Sequence, residues 1–301
     1  MPNIPFPSIP TTTKISLLGA VVGLALLGAF VLYETGVHNQ PPAQFPAVLT
    51  LAPERIEARA AIVYDPVEQR ILFQKNAAVS LPLASLTKLM SAETVLRVKN
   101  VNVPLTITLA DLAPQGDWGF RAGDTVSLSD LIKMALVASS NDAMAAAAAS
   151  LGGDYMNQLN RTAGMLGLSN TYFLNPTGLD LSEETAGAYG SAYDVARLAA
   201  AFMRGFPQYF ELTANDTISI QDDGRVLTAT STALPLHSIP GFIGAKTGYT
   251  RLAGGNLVAA FDVDIGHPLI VVVLGSSEEG RFTDIETLIH AIRSSATTTL
   301  L

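Results

Sequence analysis

Three short groups of residues in this chain could do chemistry. The first is Ser85-Leu86-Thr87-Lys88, just after Pro82 and at the start of a predicted helix. Residues three apart share a helical face, so the Ser85 hydroxyl and the Lys88 amine can meet. A serine hydroxyl is a poor nucleophile at neutral pH and needs a base beside it. A lysine serves once burial and neighbouring cations disfavour its charged form. The helix N-terminus adds partial positive charge and free N–H groups where an oxyanion would develop. On its own the pattern describes an ordinary surface Ser and Lys, but here its flank (Leu81-Pro82-Leu83-Ala84-Ser85-Leu86) is too apolar for an exposed helix start. The second group, Ser139-Ser140-Asn141, falls between two predicted helices, where Ser and Asn are also the usual caps and Asn141 could cap the helix from Asp142. The third, Lys246-Thr247-Gly248, sits in a strand-like run. A strand lysine is commonly a solvated outer-face residue. The chemical alternative is that Lys246 and Thr247 bind a carboxylate, while Gly248 keeps the strand edge bare for a substrate backbone.

Each group occurs once, and a Ser-x-x-Lys, a Ser-x-Asn and a Lys-Thr-Gly in that order form the motif triplet of penicillin-interacting serine enzymes. The chain resembles the low-molecular-mass penicillin-binding proteins, specifically the serine D-alanyl-D-alanine carboxypeptidases. The likeness runs from about Glu54 to Arg293 and also includes Asn175-Pro176-Thr177-Gly178-Leu179 and Gly244-Ala245-Lys246-Thr247-Gly248-Tyr249-Thr250. The resemblance implies that Ser85 attacks the carbonyl of the penultimate D-Ala of a peptidoglycan stem peptide and that Lys88 takes its proton. It puts the oxyanion between the backbone N–H groups of Ser85 and Tyr249, and the terminal carboxylate on Lys246 and Thr247. Ser139 would relay a proton to the departing amine, and Asn141 would position Lys88 and the substrate amide. Water then hydrolyses the acyl-enzyme, with no metal and no organic cofactor, and β-lactams would acylate the same serine. Arg251, close behind the third motif, is either a helper for the carboxylate or an exposed structural arginine.

Elements able to hold these groups can be read from periodicity and punctuation. Residues 59–64 and 70–75, either side of Asp65-Pro66, suggest a β-hairpin. Helical patterns cover 84–98, 128–138 after Ser127, 142–150, 155–166 up to Gly167, and 192–204 between Ser191 and Gly205. A second hairpin flanks Asp223-Gly224, three strand-like runs span 241–250, 256–262 and 269–274, and a last helix covers about 282–293. Strands at both ends with helices between them imply an α+β fold. An antiparallel sheet built from both chain ends is packed with helices and carries an inserted, mainly helical lobe, as in β-lactamases and transpeptidases. The cleft between sheet and lobe is where a site would lie.

The bulk numbers agree with an exported enzyme. Apolar residues are 49 % and charged residues 15 % of 301, which excludes a disordered chain, and a net charge of −8 leaves no basic field for nucleic acid. With no cysteines there is no thiol nucleophile, disulfide or thiolate metal site. Residues 15–33 carry no charge and lie between Lys14 and Glu34, long enough to cross most of a bilayer's hydrocarbon and longer than the usual apolar region of a cleavable signal. The expected plan is a short cytoplasmic tail (1–14), an N-terminal transmembrane anchor (15–33), a Pro-rich linker (34–53) and a catalytic domain (54–301) on the extracytoplasmic side of a bacterial membrane. Related carboxypeptidases append a β-rich domain and a C-terminal amphipathic helix; here the chain ends at Leu301, so the anchor is expected at the N-terminus. Among rivals, a D,D-endopeptidase cutting cross-links would use the same catalytic set. A class A β-lactamase needs a deacylating glutamate in a Glu-x-x-Leu-Asn loop, where this chain has Thr171 before Leu174-Asn175. A non-catalytic penicillin sensor would have no need to keep every polar group. Ala245 breaks a P-loop, and the scattered His38, His237, His267 and His290 do not suggest a zinc site. Trp118 is read as packing under a loop or walling the cleft.

Overall fold

The computed structural model describes residues 49 and 51–298, except 117, 118, 223 and 265. The expected span at 15–33 and Trp118 therefore lie outside the described residues, and among those described no helix is long and apolar enough to cross a membrane.

Strands β1 (Ala60–Asp65) and β2 (Arg70–Lys75) form the first hairpin. Its turn is organised by the Asp65 carboxylate, which accepts the Val67 and Glu68 N–H groups at 3.0 Å. A short strand β3 (Leu81–Pro82) leads through a 3-10 turn (Ala84–Leu86) into helix α1 (Thr87–Val98). The inserted lobe then runs through β4 (Pro104–Thr106) and β5 (Thr125–Ser127), helices α2 (Leu128–Val137), α3 (Asn141–Ala149) and α4 (Tyr155–Met165), β6 (Tyr172–Phe173), β7 (Ala188–Gly190), α5 (Ala192–Gly205), α6 (Pro207–Glu211), β8 (Thr217–Asp222) and β9 (Arg225–Thr230). The chain closes with β10 (Phe242–Thr250), β11 (Gly254–Asp262), β12 (Pro268–Ser276) and α7 (Gly280–Thr298).

The main sheet has the order β10-β11-β12-β1-β2, with every pair antiparallel. Segments far apart in the chain thus meet in one sheet, with Ile62 of β1 opposite Val272 of β12. β1, β11 and β12 are buried along nearly their whole length, because helices cover both faces. On one face Ile62, Ile270, Val272 and Leu274 join Val195, Leu198 and Phe202 of α5 in the main core. On the other, α7 packs against β11 and β12 and buries Ile285, Leu288, Ile289 and Ile292. Each such side chain contributes roughly 1.5–3 kcal/mol by leaving water. β10 is an edge strand of the sheet, and its Gly248 lies against the Ser85 turn.

Local signals set the helix starts. Ser127 accepts the Asp130 N–H, Ser191 the Asp194 N–H and Ser140 the Ala143 N–H, each at 3.0–3.1 Å. Such a cap contributes about 1 kcal/mol. Two readings need correction. Ser140, not Asn141, caps α3; Asn141 is its first helical residue, which frees its side chain for other work. The helix expected from 84 begins as a 3-10 turn and becomes α-helical only at Thr87. α1 is buried from Thr87 through Leu96, polar positions included, so it is the central helix of the lobe rather than an amphipathic cover.

Candidate active site

Ser85 sits on the 3-10 turn, with Ala84 before it at φ +48°, a conformation that costs an L-residue about 1 kcal/mol or more. The surroundings hold this turn from several sides. Leu83 N–H donates to Ala188 O at 3.0 Å, and the buried Asn256 donates from Nδ2 to Pro82 O at 2.9 Å. Gly178, itself at φ +81°, lies so close below that a Cβ there would sit 1.8 Å from Ala84 O. Only glycine fits at that point.

One helical turn on, Lys88 is fully buried and its Nζ has three partners. It donates to Ser85 Oγ at 2.7 Å, to Asn141 Oδ1 at 2.7 Å and to Thr177 O at 3.2 Å. Burial pushes the Lys88 amine down to about 7. The carbonyl of Thr177 is presented by a loop folded around the Asn175 side chain, whose Oδ1 accepts the Gly178 N–H at 2.7 Å while Nδ2 donates to Leu179 O at 2.8 Å. Ser91 of α1 ties the same loop down by donating to Pro176 O at 2.7 Å.

Lys246 faces this group from β10. It is buried, not solvated, and donates to Ser139 Oγ at 2.8 Å and to Thr247 O at 2.9 Å. Its affinity for a proton is held well below that of an ordinary lysine, first by burial, then by the charges of Lys88 and Arg281. Ser139 stands at φ +60° between α2 and α3, which turns its hydroxyl toward Lys246. The partners of both amines are hydroxyl, amide and carbonyl oxygens, so the site holds two buried amines with no carboxylate in hydrogen-bond contact among the described residues. Such a site is built to receive an anion. Thr247 Oγ1 donates to Thr232 Oγ1 at 2.7 Å, and Tyr249 is half exposed at the mouth.

The fold therefore brings Ser85, Lys88, Ser139, Asn141, Lys246, Thr247 and Gly248 to one place. Gly248 differs in detail from its expected purpose. A Cβ on it would meet Leu83 O and Ser85 N at 3.1 Å, so its bareness already lets the serine turn approach the strand. Arg251 donates to the Glu183 carbonyl and so braces the loop that carries it. Four contributors went unassigned in the sequence: Thr177, Thr232, Asn256 and Arg281. Arg281, on the first turn of α7, is buried and donates from Nη1 to Gly248 O at 2.9 Å. The Asn-Pro-Thr-Gly run signals a tight turn, but nothing local says that the turn closes on Lys88.

A family model described as D-alanyl-D-alanine carboxypeptidase matches residues 47–278. The chain belongs to the D-alanyl-D-alanine carboxypeptidase family. It is 31% identical over 265 residues to D-alanyl-D-alanine carboxypeptidase DacC of Escherichia coli, covering 82% of this chain and 64% of that one. It thus spans less than two thirds of that carboxypeptidase. A D-alanyl-D-alanine endopeptidase of Pseudomonas aeruginosa is 30% identical over 258 residues, covering 83% of this chain and 79% of its own length. Among solved structures, penicillin-binding protein D2 of Listeria monocytogenes in its cefotaxime-bound form has a TM-score of 0.70 at 31% identity, covering 78% of this chain and 97% of that one. A D-alanyl-D-alanine carboxypeptidase of Mycobacterium tuberculosis has a TM-score of 0.74 at 25% identity, covering 82% and 94%. This family's α+β architecture is the one described above.

Proposed function

We propose that this protein removes the terminal D-Ala from peptidoglycan stem peptides through a serine acyl-enzyme. The observation that carries the reading is the 2.7 Å hydrogen bond from a fully buried Lys88 amine to the partly accessible Ser85 hydroxyl. With its proton affinity lowered to about 7, that amine is a base at neutral pH without needing an acidic partner. Ser85 Oγ attacks the penultimate D-Ala carbonyl as its proton passes to Lys88, and the oxyanion forms between the Ser85 and Tyr249 N–H groups. Collapse expels D-Ala, whose amine takes a proton through Ser139, and water then cleaves the ester. Lys246 and Thr247 grip the terminal carboxylate, and Asn141 holds Lys88 and the substrate amide. An arriving carboxylate supplies the counter-charge that Lys246 lacks, so substrate binding draws a proton onto that amine. β-Lactams, which bear an equivalent carboxylate, acylate the same serine.

Labelling with a fluorescent penicillin followed by peptide mapping tests this. Label is expected on Ser85 and lost in Ser85→Ala; equal labelling of the variant removes the assignment. Release of free D-Ala from a D-Ala-D-Ala-terminated pentapeptide then tests the hydrolysis. The endopeptidase from Pseudomonas aeruginosa, matched over 79% of its own length, supports a second reading: cleavage of D,D-cross-links by the same residues. Digestion of a cross-linked muropeptide dimer separates the two. We further read residues 15–33 as an uncleaved anchor, with 1–14 cytoplasmic and 54–301 outside the membrane. Full release of the protein by alkaline carbonate washing would overturn that.

A further inference from the structure

Beside β10, at its Phe242–Ala245 end, lies a polar cluster that the proposed chemistry does not use. His237 Nδ1 is 2.8 Å from Asp216 Oδ1, and His237 Nε2 is 3.4 Å from Ser231 Oγ and 3.2 Å from Thr213 O. The Ser-His-Asp order suggests a second nucleophile, but Ser231 is buried and its hydroxyl donates to Thr213 O at 3.2 Å. It is neither free nor open to a substrate. What the cluster touches is the strand. Thr213 Oγ1 accepts the Ala245 N–H at 2.8 Å and donates to Phe210 O at 2.6 Å, so it holds the open edge of β10 one residue before Lys246. Ser231 immediately precedes Thr232, whose hydroxyl accepts from Thr247 at 2.7 Å. The imidazole also stacks on Phe242, the first residue of β10, with ring centroids 5.2 Å apart.

Resting on the reading of Lys246 and Thr247 as the carboxylate grip, we propose that His237 is a positioning residue that sets the grip's geometry by tying the segments of Thr213 and Ser231 to each other and to the start of β10. Three contacts converge on one side chain: Asp216 orients the ring through Nδ1, its other edge joins Thr213 O and Ser231 Oγ, and its face rests on the strand. Removing it leaves Ser85, Lys88 and Asn141 untouched, since none of them contacts this cluster by hydrogen bond. The loss therefore falls on anion recognition and spares the attack.

The test compares second-order acylation rate constants for benzylpenicillin and for its methyl ester, which has the same reactive ring without the anionic carboxylate. Wild-type protein is expected to favour the free acid; equal rates there would defeat the carboxylate-grip reading itself, before any variant is considered. In His237→Ala the free-acid rate is expected to fall about tenfold while the ester rate holds, as for a misplacement of under an ångström. His237→Gln, which retains a donor and an acceptor, is expected to recover part of the preference. Asp216→Ala alters a largely exposed carboxylate, with a side chain 76% accessible, and gives a second reading if the histidine variant fails to fold. It is expected to shift the ratio the same way, about threefold. An acid-to-ester ratio unchanged in Asp216→Ala and in whichever His237 variants fold, or an equal fall with both probes, overturns the proposal.

Discussion

The proposed chemistry rests on a lysine whose charged form is disfavoured by burial. An amine at Lys88's depth is costly to protonate, and the loss of solvation pulls it from an ordinary value of 10.5 down to about 7. With Lys88 as the proposed base, acylation by a penicillin should rise with pH through about 7 and level off above 8, standing near a tenth of the plateau at pH 6. A flat profile from pH 5.5 to 8.5 would separate this amine from the proton transfer. The same burial acts on stability. The unfolded chain binds this proton more tightly than the folded one between pH 7 and 10.5, so Lys88 weakens the fold most below 7 and progressively less as pH rises to 10.5. Lys88→Met should abolish acylation and raise unfolding free energy by about 1–2 kcal/mol at pH 6, the three lost hydrogen bonds offsetting much of the desolvation gain. Urea midpoints at pH 6 and pH 9 check the sign: the gain shrinks at pH 9.

At the scale of elements, the serine turn is shaped by its neighbours. Ala84 at φ +48° has no local reason to adopt the left-handed region; it stays there because β3 is paired on one side, Asn256 holds Pro82 O on another, and the 175–178 loop presses from below. That loop has two duties, since Gly178 supports the Ala84 carbonyl while Thr177 accepts from Lys88. Gly178→Ala brings a methyl group 1.8 Å from Ala84 O at a φ of +81°, so the loop or the turn must move. We expect a loss of about 3 kcal/mol or more in urea unfolding, with penicillin labelling falling further than the folded fraction. Labelling proportional to folded protein would mean that the loop supports the fold alone.

At the scale of the molecule, the strand carrying Lys246 is a sheet edge, and the sheet exists only when residues 60–75 meet residues 242–276. The joint is sealed by Asp284 of α7, whose carboxylate accepts the Glu57 and Ala58 N–H groups and the Ser276 hydroxyl, each at 2.8 Å. Buried charge-assisted bonds of this kind are strong, and their loss strands two backbone donors. Asp284→Ala should lower unfolding free energy by about 3 kcal/mol while Ser85 still labels below the lowered melting temperature. An unchanged melting temperature would show that this joint carries little of the stability. Arg281, on the same helix, donates to the Gly248 carbonyl, so closing the sheet also completes the back wall of the site.

Much of this was legible in the residues themselves. The three motifs singled out Ser85, Lys88, Ser139, Asn141, Lys246 and Thr247, which the fold brings together, because residue types at fixed helical or strand spacing can be read in one dimension. The hairpins, the capped helices and the three closing strands were also readable, because Asp-Pro turns, Ser caps and apolar period act over a few residues. Tertiary structure decided the rest. Whether Asn141 caps a helix or holds a lysine depends on what faces it, and Ser140 had already taken the cap. The carbonyl of Thr177 meets Lys88 across 89 residues of chain, and the Arg281 guanidinium meets Gly248 across 33. Burial depth, which lowers the proton affinity of Lys88 to about 7, belongs to the packed core and has no local signature, since desolvation is set by everything that closes around the amine.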